Sequence, residues 1–439
     1  MTCRTFGRTS SWRCAPFPVH SISLSLSTFF LFFLFLFLGL ATPALAEPQA
    51  DPPPVQVTWP DLVALVERHP RLEAGQLDID AARAGVAAAS AIPNPELEVS
   101  LDYGTESLSD ASIVEWDVSL TMPLGWIAKR GLQMAAAEAD VERARAEVQL
   151  QRREVLRQLR MLFWNLLEAQ ARAASLETLE AQTTALLRTV ERRVDQGEAR
   201  PIEVVRAGLE LDRVTGELEA ARATLRARRT ALSLWLGVPL DTEIVAIADL
   251  ETLPTASSRE GALATAREQH PSLALAQTRA RALESEVAIE KRARVPEFSL
   301  KVFVAHEVER QAYGGALTID LPLWNWNSGR IAQAEAKLAA DRRQAEADWR
   351  EIEAEVLDAQ AACEASVAAA ARFQKTVVPR AESAAATLER TYELGEQNLL
   401  EVLDGRRTLL DVRRLYLDAL SQAHIACGRL SALVGEELP

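Results

Sequence analysis

The sequence repeats itself once at an offset of about 200 residues, and this duplication limits the fold more than any other feature. His69-Pro70-Arg71-Leu72 returns as His270-Pro271-Ser272-Leu273, and Pro95-Glu96-Leu97 as Pro296-Glu297-Phe298. Met122-Pro123-Leu124 matches Leu321-Pro322-Leu323, and Gly197-Glu198 with Glu203-Val204 matches Gly395-Glu396 with Glu401-Val402. Matches in one unbroken order mark a gene duplication, so whatever one half builds the other has to build again. The chain divides into a leader at 1–46, a Pro-rich extended linker at 47–57, a first repeat at 58–236, a connector at 237–257 and a second repeat at 258–439.

Each repeat predicts a helix, two short strands, a very long helix, a sharp turn near 197 or 395, and a further helix. Strands are expected at about 95–103 and 113–122, where Leu97, Val99, Leu101 and Tyr103, then Val114, Trp116, Val118, Leu120 and Met122, alternate with polar residues. The second repeat predicts strands at about 296–304 and 314–322, on Phe298, Leu300, Val302 and Val304 and on Leu317, Ile319 and Leu321, with Phe303 breaking the alternation. The long helices are expected at about 127–194 and 329–394, each on the order of 100 Å long. In the first, Val155, Leu159, Leu162, Leu166, Ala169, Ala173 and Leu176 form a heptad seam, with Leu156, Phe163 and Leu167 beside it. Two apolar stripes suit a helix with two neighbours, as in a ring. Pro379 predicts a kink in the second long helix, where the first has Ala181.

Arg4, Arg8 and Arg13 precede an apolar run from about Leu24 to Leu40, and Ala44-Leu45-Ala46 follows Pro43. This pattern predicts a cleaved secretory signal, against the alternative of a retained anchor helix. The formal charge of −14 argues against nucleic acid as a partner. Abundant Ala and only 19 Gly favour long helices over a nucleotide-binding α/β domain. No HExxH, Walker loop, nucleophile elbow or paired CxxC occurs, so neither an enzyme nor a bound cofactor is expected.

Strands of about nine residues match the length a tilted strand needs to cross a bilayer. One chain offers four, whereas a closed membrane barrel needs at least about eight, so the chain is expected to oligomerise. Two chains give eight strands and three give twelve, and the doubly striped helices favour the wider ring. Tyr103, Trp126, Tyr313, Trp324 and Trp326 fall near strand ends, where interfacial aromatics sit. The competing arrangement is a soluble sandwich of hairpins with these aromatics in its core.

At this point the sequence resembles a family, the TolC-type outer-membrane efflux channels, and within it the CzcC-like branch that serves heavy-metal exporters. The resemblance rests on the HPRL and HPSL openings, the PNPEL strand start (Pro93 to Leu97), the strand-to-helix junction DLPLWNWNSGRIAQAEA (Asp320 to Ala336) and the turn YELGEQNLLEVLD (Tyr392 to Asp404). It implies a homotrimer whose 12-stranded β-barrel lies in outer-membrane lipid and continues as a 12-helix α-barrel through the periplasm. It also implies a periplasmic adaptor and an inner-membrane pump, of RND type for metal export, as partners. Multidrug efflux or type I secretion are alternatives within the family, and a periplasmic adaptor or coiled-coil scaffold is a more distant one. The lipidated Cys of many relatives is missing after the signal, which leaves anchoring to the barrel.

By the same resemblance the two turns form the periplasmic tips, with Gly197, Glu198, Gly395 and Glu396 facing the adaptor. Glu401 and Asp404 fall on the family's entrance carboxylates, and Tyr392 and Glu203 on positions that hold the entrance shut. Gln397 stands where the family has a basic gate partner. The acids have a simpler alternative, since Asn398 to Glu401 reads as a capping box and Glu203 follows Pro201 in a first helical turn.

Cys363 and Cys427 each lie 32 residues from Gly395 and so face each other in an antiparallel hairpin. A disulfide is open to them in an exported protein, but helix axes usually sit about 8–10 Å apart, so two buried thiols are the other outcome. His424, one turn before Cys427, is expected to pack in the core rather than bind metal, and His69 and His270 to cap helices.

Overall fold

The computed structural model describes residues 54–105, 112–240, 242–307 and 310–435. The leader at 1–46 and most of the linker lie outside these residues. The end of the linker forms strand β1 (Val55–Val57), which pairs in parallel with β4 (Ile244–Ala246) in the connector. Sequence periodicity did not predict this pairing, because three residues are too few to show an alternation. The Gln170 side chain closes the edge of β4: the Ala246 N–H donates to Oε1 at 2.9 Å and Nε2 donates to the Ala246 carbonyl at 3.0 Å.

The first repeat contains α1 (Trp59–Val66), α2 (Pro70–Ser90), β2 (Glu96–Thr105), β3 (Ser112–Pro123), α3 (Trp126–Asp195) and α4 (Pro201–Leu236). The second contains α5 (Arg259–Gln269), α6 (Pro271–Arg292), β5 (Glu297–Glu307), β6 (Arg310–Asp320), α7 (Ser328–Arg372), α8 (Val378–Glu393) and α9 (Leu399–Val434). His69 and His270 cap α2 and α6, each accepting through Nδ1 from the backbone N–H two residues on, at 3.3 and 3.2 Å. α3 has 70 residues and is about 105 Å long. Its heptad seam is the core: Val155, Leu159, Leu166, Ala169, Ala173 and Leu176 are buried, as is Phe163 from the second stripe. α9 runs antiparallel along α3, with His424 stacked on Trp164 at 3.7 Å between centroids and Gly428 facing Arg160, where a Cβ would collide with the arginine stem. The His424 Nε2 donates to the Leu250 carbonyl at 3.1 Å.

Two expectations need adjusting. The last strand lies earlier than 314–322, because its ladder with β5 ends at Glu297↔Asp320 and Pro322 has no N–H to extend it. This places Tyr313 inside β6 opposite Val304, while Trp324 and Trp326 lie in the connection to α7. The second long helix is interrupted by a π-helical turn, Phe373–Val377, just before Pro379. The Val378 N–H reaches back to the Phe373 carbonyl, and this wider turn makes room for a proline that has no N–H of its own.

The four long strands form one antiparallel sheet in the order β2-β3-β5-β6. Its register gathers the apolar residues onto one face. Leu97 pairs with Leu120 and Leu120 with Val302; Val99 pairs with Val118, Val118 with Val304 and Val304 with Tyr313. Among the described residues no helix covers that face: Leu101 is 71% exposed, Leu317 60% and Tyr313 87%. The opposite face carries Glu98, Asp102, Glu115, Asp117 and Thr121, with Lys301 paired to Glu98 at 3.2 Å. Phe303 lies on this polar face against Gly314, where an added Cβ would meet its ring at 3.0 Å.

Candidate functional site

Both turns end their helices in a left-handed glycine, Gly197 at φ 74° and Gly395 at φ 77°. The N–H of Glu198 returns to the Arg193 carbonyl at 2.8 Å, and that of Glu396 to Thr391 at 2.9 Å. Tyr392 is buried beside Gly395 among Leu186, Val190, Ala207, Leu399, Val402 and Leu403, which draw both turns into one cluster. Arg193 joins them further: its Nη1 donates to the Tyr392 carbonyl at 3.0 Å and its guanidinium lies 4.9 Å from the ring centroid. Burial pushes the Tyr392 hydroxyl above its ordinary pKa; the Arg193 charge opposes this and Glu203 adds to it. The hydroxyl makes no hydrogen bond among the described residues.

Glu401 and Asp404 share a groove of about 460 Å³ between α4 and α9, with Arg206, Leu209, Leu388 and Arg407 also along it. Glu401 at the same time completes a cap, its N–H donating to Asn398 Oδ1 and its Oε1 accepting from Asn398 Nδ2, both at 3.1 Å. Glu203 is not in this groove; it accepts weakly from the Arg200 N–H at 3.4 Å. The structure thus places Glu401 with Asp404 along the groove and Tyr392 in the neighbouring apolar cluster, within electrostatic reach of Glu203.

Two links were not anticipated. One is Arg193. The other is Glu210, 3% exposed on α4, which binds Arg213 at 2.5 Å and reaches across to Arg407 on α9 at 2.6 Å. Burial pushes the Glu210 carboxyl up, but hydrogen bonds from the two guanidinium groups outweigh it, and its pKa lies below the usual carboxylate range. Its signal was present in the sequence: Ala207, Glu210, Val214, Leu218 and Ala221 step by three or four residues along one helix face, so Glu210 is a charge on a buried seam.

At the sheet end, Trp324 is 92% and Trp326 58% exposed, and Arg294 Nε donates to the Trp326 carbonyl at 3.0 Å. Trp126 opens α3 with Arg130 over its ring, and Tyr103 pairs with Val114. Cys363 on α7 and Cys427 on α9 form a disulfide with their Cα atoms 4.6 Å apart.

A two-faced sheet with its apolar side uncovered, joined to two very long helical hairpins, defines a membrane protein of the outer-membrane channel class. The family described as outer membrane efflux protein matches residues 62–238 and again 262–436, and the chain belongs to that family. The cobalt-zinc-cadmium resistance protein CzcC of Cupriavidus metallidurans is 27% identical over 369 residues, spanning 83% of this chain and 86% of CzcC. The pyoverdine export outer membrane protein OpmQ of Pseudomonas putida is 28% identical over 279 residues, 59% of this chain and 57% of OpmQ. The crystal structure of CusC has the same fold, with a TM-score of 0.71 at 17% identity over 86% of this chain and 91% of that one. The chain is an outer-membrane efflux component, and its relatives are channels rather than enzymes.

Proposed function

We propose that three copies of this chain close a 12-stranded barrel in the outer membrane and a 12-helix tunnel below it, through which heavy-metal cations leave the cell. The observation that carries this reading is the uncovered apolar face continuous over β2, β3, β5 and β6. In lipid such a face is stable, but the free edges of β2 and β6 are not, because their backbone groups find no water to bond. Joining β6 of one copy to β2 of the next removes every edge. Tyr103, Trp126, Tyr313, Trp324 and Trp326 then serve the two interfaces.

In this arrangement the conduit is passive and an inner-membrane pump of RND type drives it through a periplasmic adaptor that meets Gly197, Glu198, Gly395 and Glu396. Glu401 and Asp404 from three copies set six carboxylates around the entrance, a field that draws cations and disfavours anions. Tyr392 and Glu203 belong to the contacts that keep it closed. Similarity to CzcC over most of both chains supports metal cargo. A second reading, export of organic compounds, is favoured by the similarity to OpmQ.

Native mass determination of the protein extracted from outer membranes tests the assembly. Three chains per particle, dissociating on heating, is the expected result; a stable monomer or a dimer would exclude a barrel of twelve strands.

A further inference from the structure

The two repeats fasten their hairpins differently. In the first, α3 holds its neighbours with Leu159, Phe163 and Leu166, and α4 contributes Leu218 and Leu232, all buried. In the second, the same level of α7 presents Val356, Ala359 and Cys363, and α9 contributes Cys427, Leu430 and Val434 to the same cluster. The positions that correspond to Cys363 and Cys427 in the first repeat are Asn165 and Arg229. The two helices put the cysteine Cα atoms 4.6 Å apart, which is the separation expected of residues on directly facing sides of two helices at ordinary spacing. A buried alanine removes one methyl group from water, a fraction of what a leucine removes.

We propose that the Cys363–Cys427 bridge ties the second hairpin at this level, and that the exported chain acquires it from a protein disulfide donor before the helical bundle closes. The timing follows from access. Cys363 is fully buried and Cys427 1% exposed, covered by Ala262 and Ala266 of α5 together with Val356 and Leu430. A disulfide donor has to bring its own sulfur in line with one of these, which the packed α5 prevents. In the exchange, one cysteine thiolate attacks the donor disulfide and releases a donor thiol; the second thiolate then displaces the donor from the mixed disulfide. Two electrons and two protons pass from the chain's thiols to the donor, which leaves as a dithiol. The inference rests on the outer-membrane location, since that route crosses a compartment where disulfides persist.

The test uses the unaltered full-length chain in two host strains that differ only in their exported thiol oxidase. Oxidation of Cys363 and Cys427 is read by alkylation in denaturant and peptide mass mapping, and assembly by the amount of heat-dissociable oligomer in the outer membrane. The oxidase-deficient strain should hold several-fold less assembled protein, and cystine in the medium should restore it. A Cys363→Ala, Cys427→Ala variant should show the same loss in both strains, with no response to cystine. Assembly of the reduced wild-type chain at the normal level, or bridging of a reduced chain after it has folded, would overturn the proposal. Fully bridged protein that never reaches the outer membrane would instead overturn the channel reading.

Discussion

Arg193 and Tyr392, 199 residues apart in the sequence, meet where the two turns touch: the guanidinium donates to the tyrosine carbonyl at 3.0 Å and covers its ring. The first repeat therefore holds the second through the backbone and ring of Tyr392, and not through its hydroxyl. Arg193→Met should raise the closed-state conductance in planar bilayers, whereas Tyr392→Phe should leave it unchanged. The opposite ranking would show that the hydroxyl makes the closing contact.

The groove acids should set selectivity. Replacing Glu401 and Asp404 together by Ala removes six charges from the proposed entrance, and cation-over-anion permeability measured from reversal potentials should fall. Glu401 is also an acid in the first turn of α9, bonded through Oε1 to the capping Asn398, so the variant should lose about 0.3–1 kcal/mol of local stability as well. A variant of wild-type selectivity would leave Glu401 only its place in the first turn of α9.

The two faces of the sheet should respond differently to one substitution. Val302→Arg puts a charge on the apolar face and should cost about 2–4 kcal/mol if that position lies near the bilayer midplane. Thr121→Arg, on the polar face, should assemble normally. Equal assembly of both variants in outer-membrane fractions would contradict the orientation of the sheet.

His270 should make stability depend on pH. Its burial, helped by the Arg153 charge, lowers its pKa to about 4, and Nδ1 must stay unprotonated to accept from Ser272 N–H. The unfolded chain binds this proton first, so the stabilisation is complete above pH about 6.5 and is lost as pH falls toward 4. The slope for one proton is at most about 1.4 kcal/mol per pH unit. Thermal unfolding of wild type and His270→Asn between these pH values should show a smaller slope in the variant, since Asn can still cap.

Much of this architecture was legible because it is periodic. Leu97 to Tyr103 alternate without a fault and lie in β2, and Val155 to Leu176 step by heptads and are buried in α3. What escaped prediction depends on contacts between distant segments. Arg193 carries no local mark of its role, since its partner is defined only when the two turns meet. The three-residue pair β1 and β4 is likewise held by its neighbours and by Gln170. Glu210 is intermediate, a charge on an apolar seam whose partner Arg407 could not be named in advance. The bridge depends on Cys363 and Cys427 lying on directly facing sides of α7 and α9, which equal distances from Gly395 make possible but only the packed hairpin fixes.

Whether the chain serves as an outer-membrane conduit for heavy-metal cations can be read from growth of a strain lacking this gene on zinc, cobalt, cadmium, nickel and copper, beside a panel of dyes and antibiotics. A metal conduit should give sensitivity to one or more metals, restored by the wild-type gene, with unchanged tolerance of the organic compounds. Sensitivity to the organic compounds alone would contradict it and assign the channel to another class of pump.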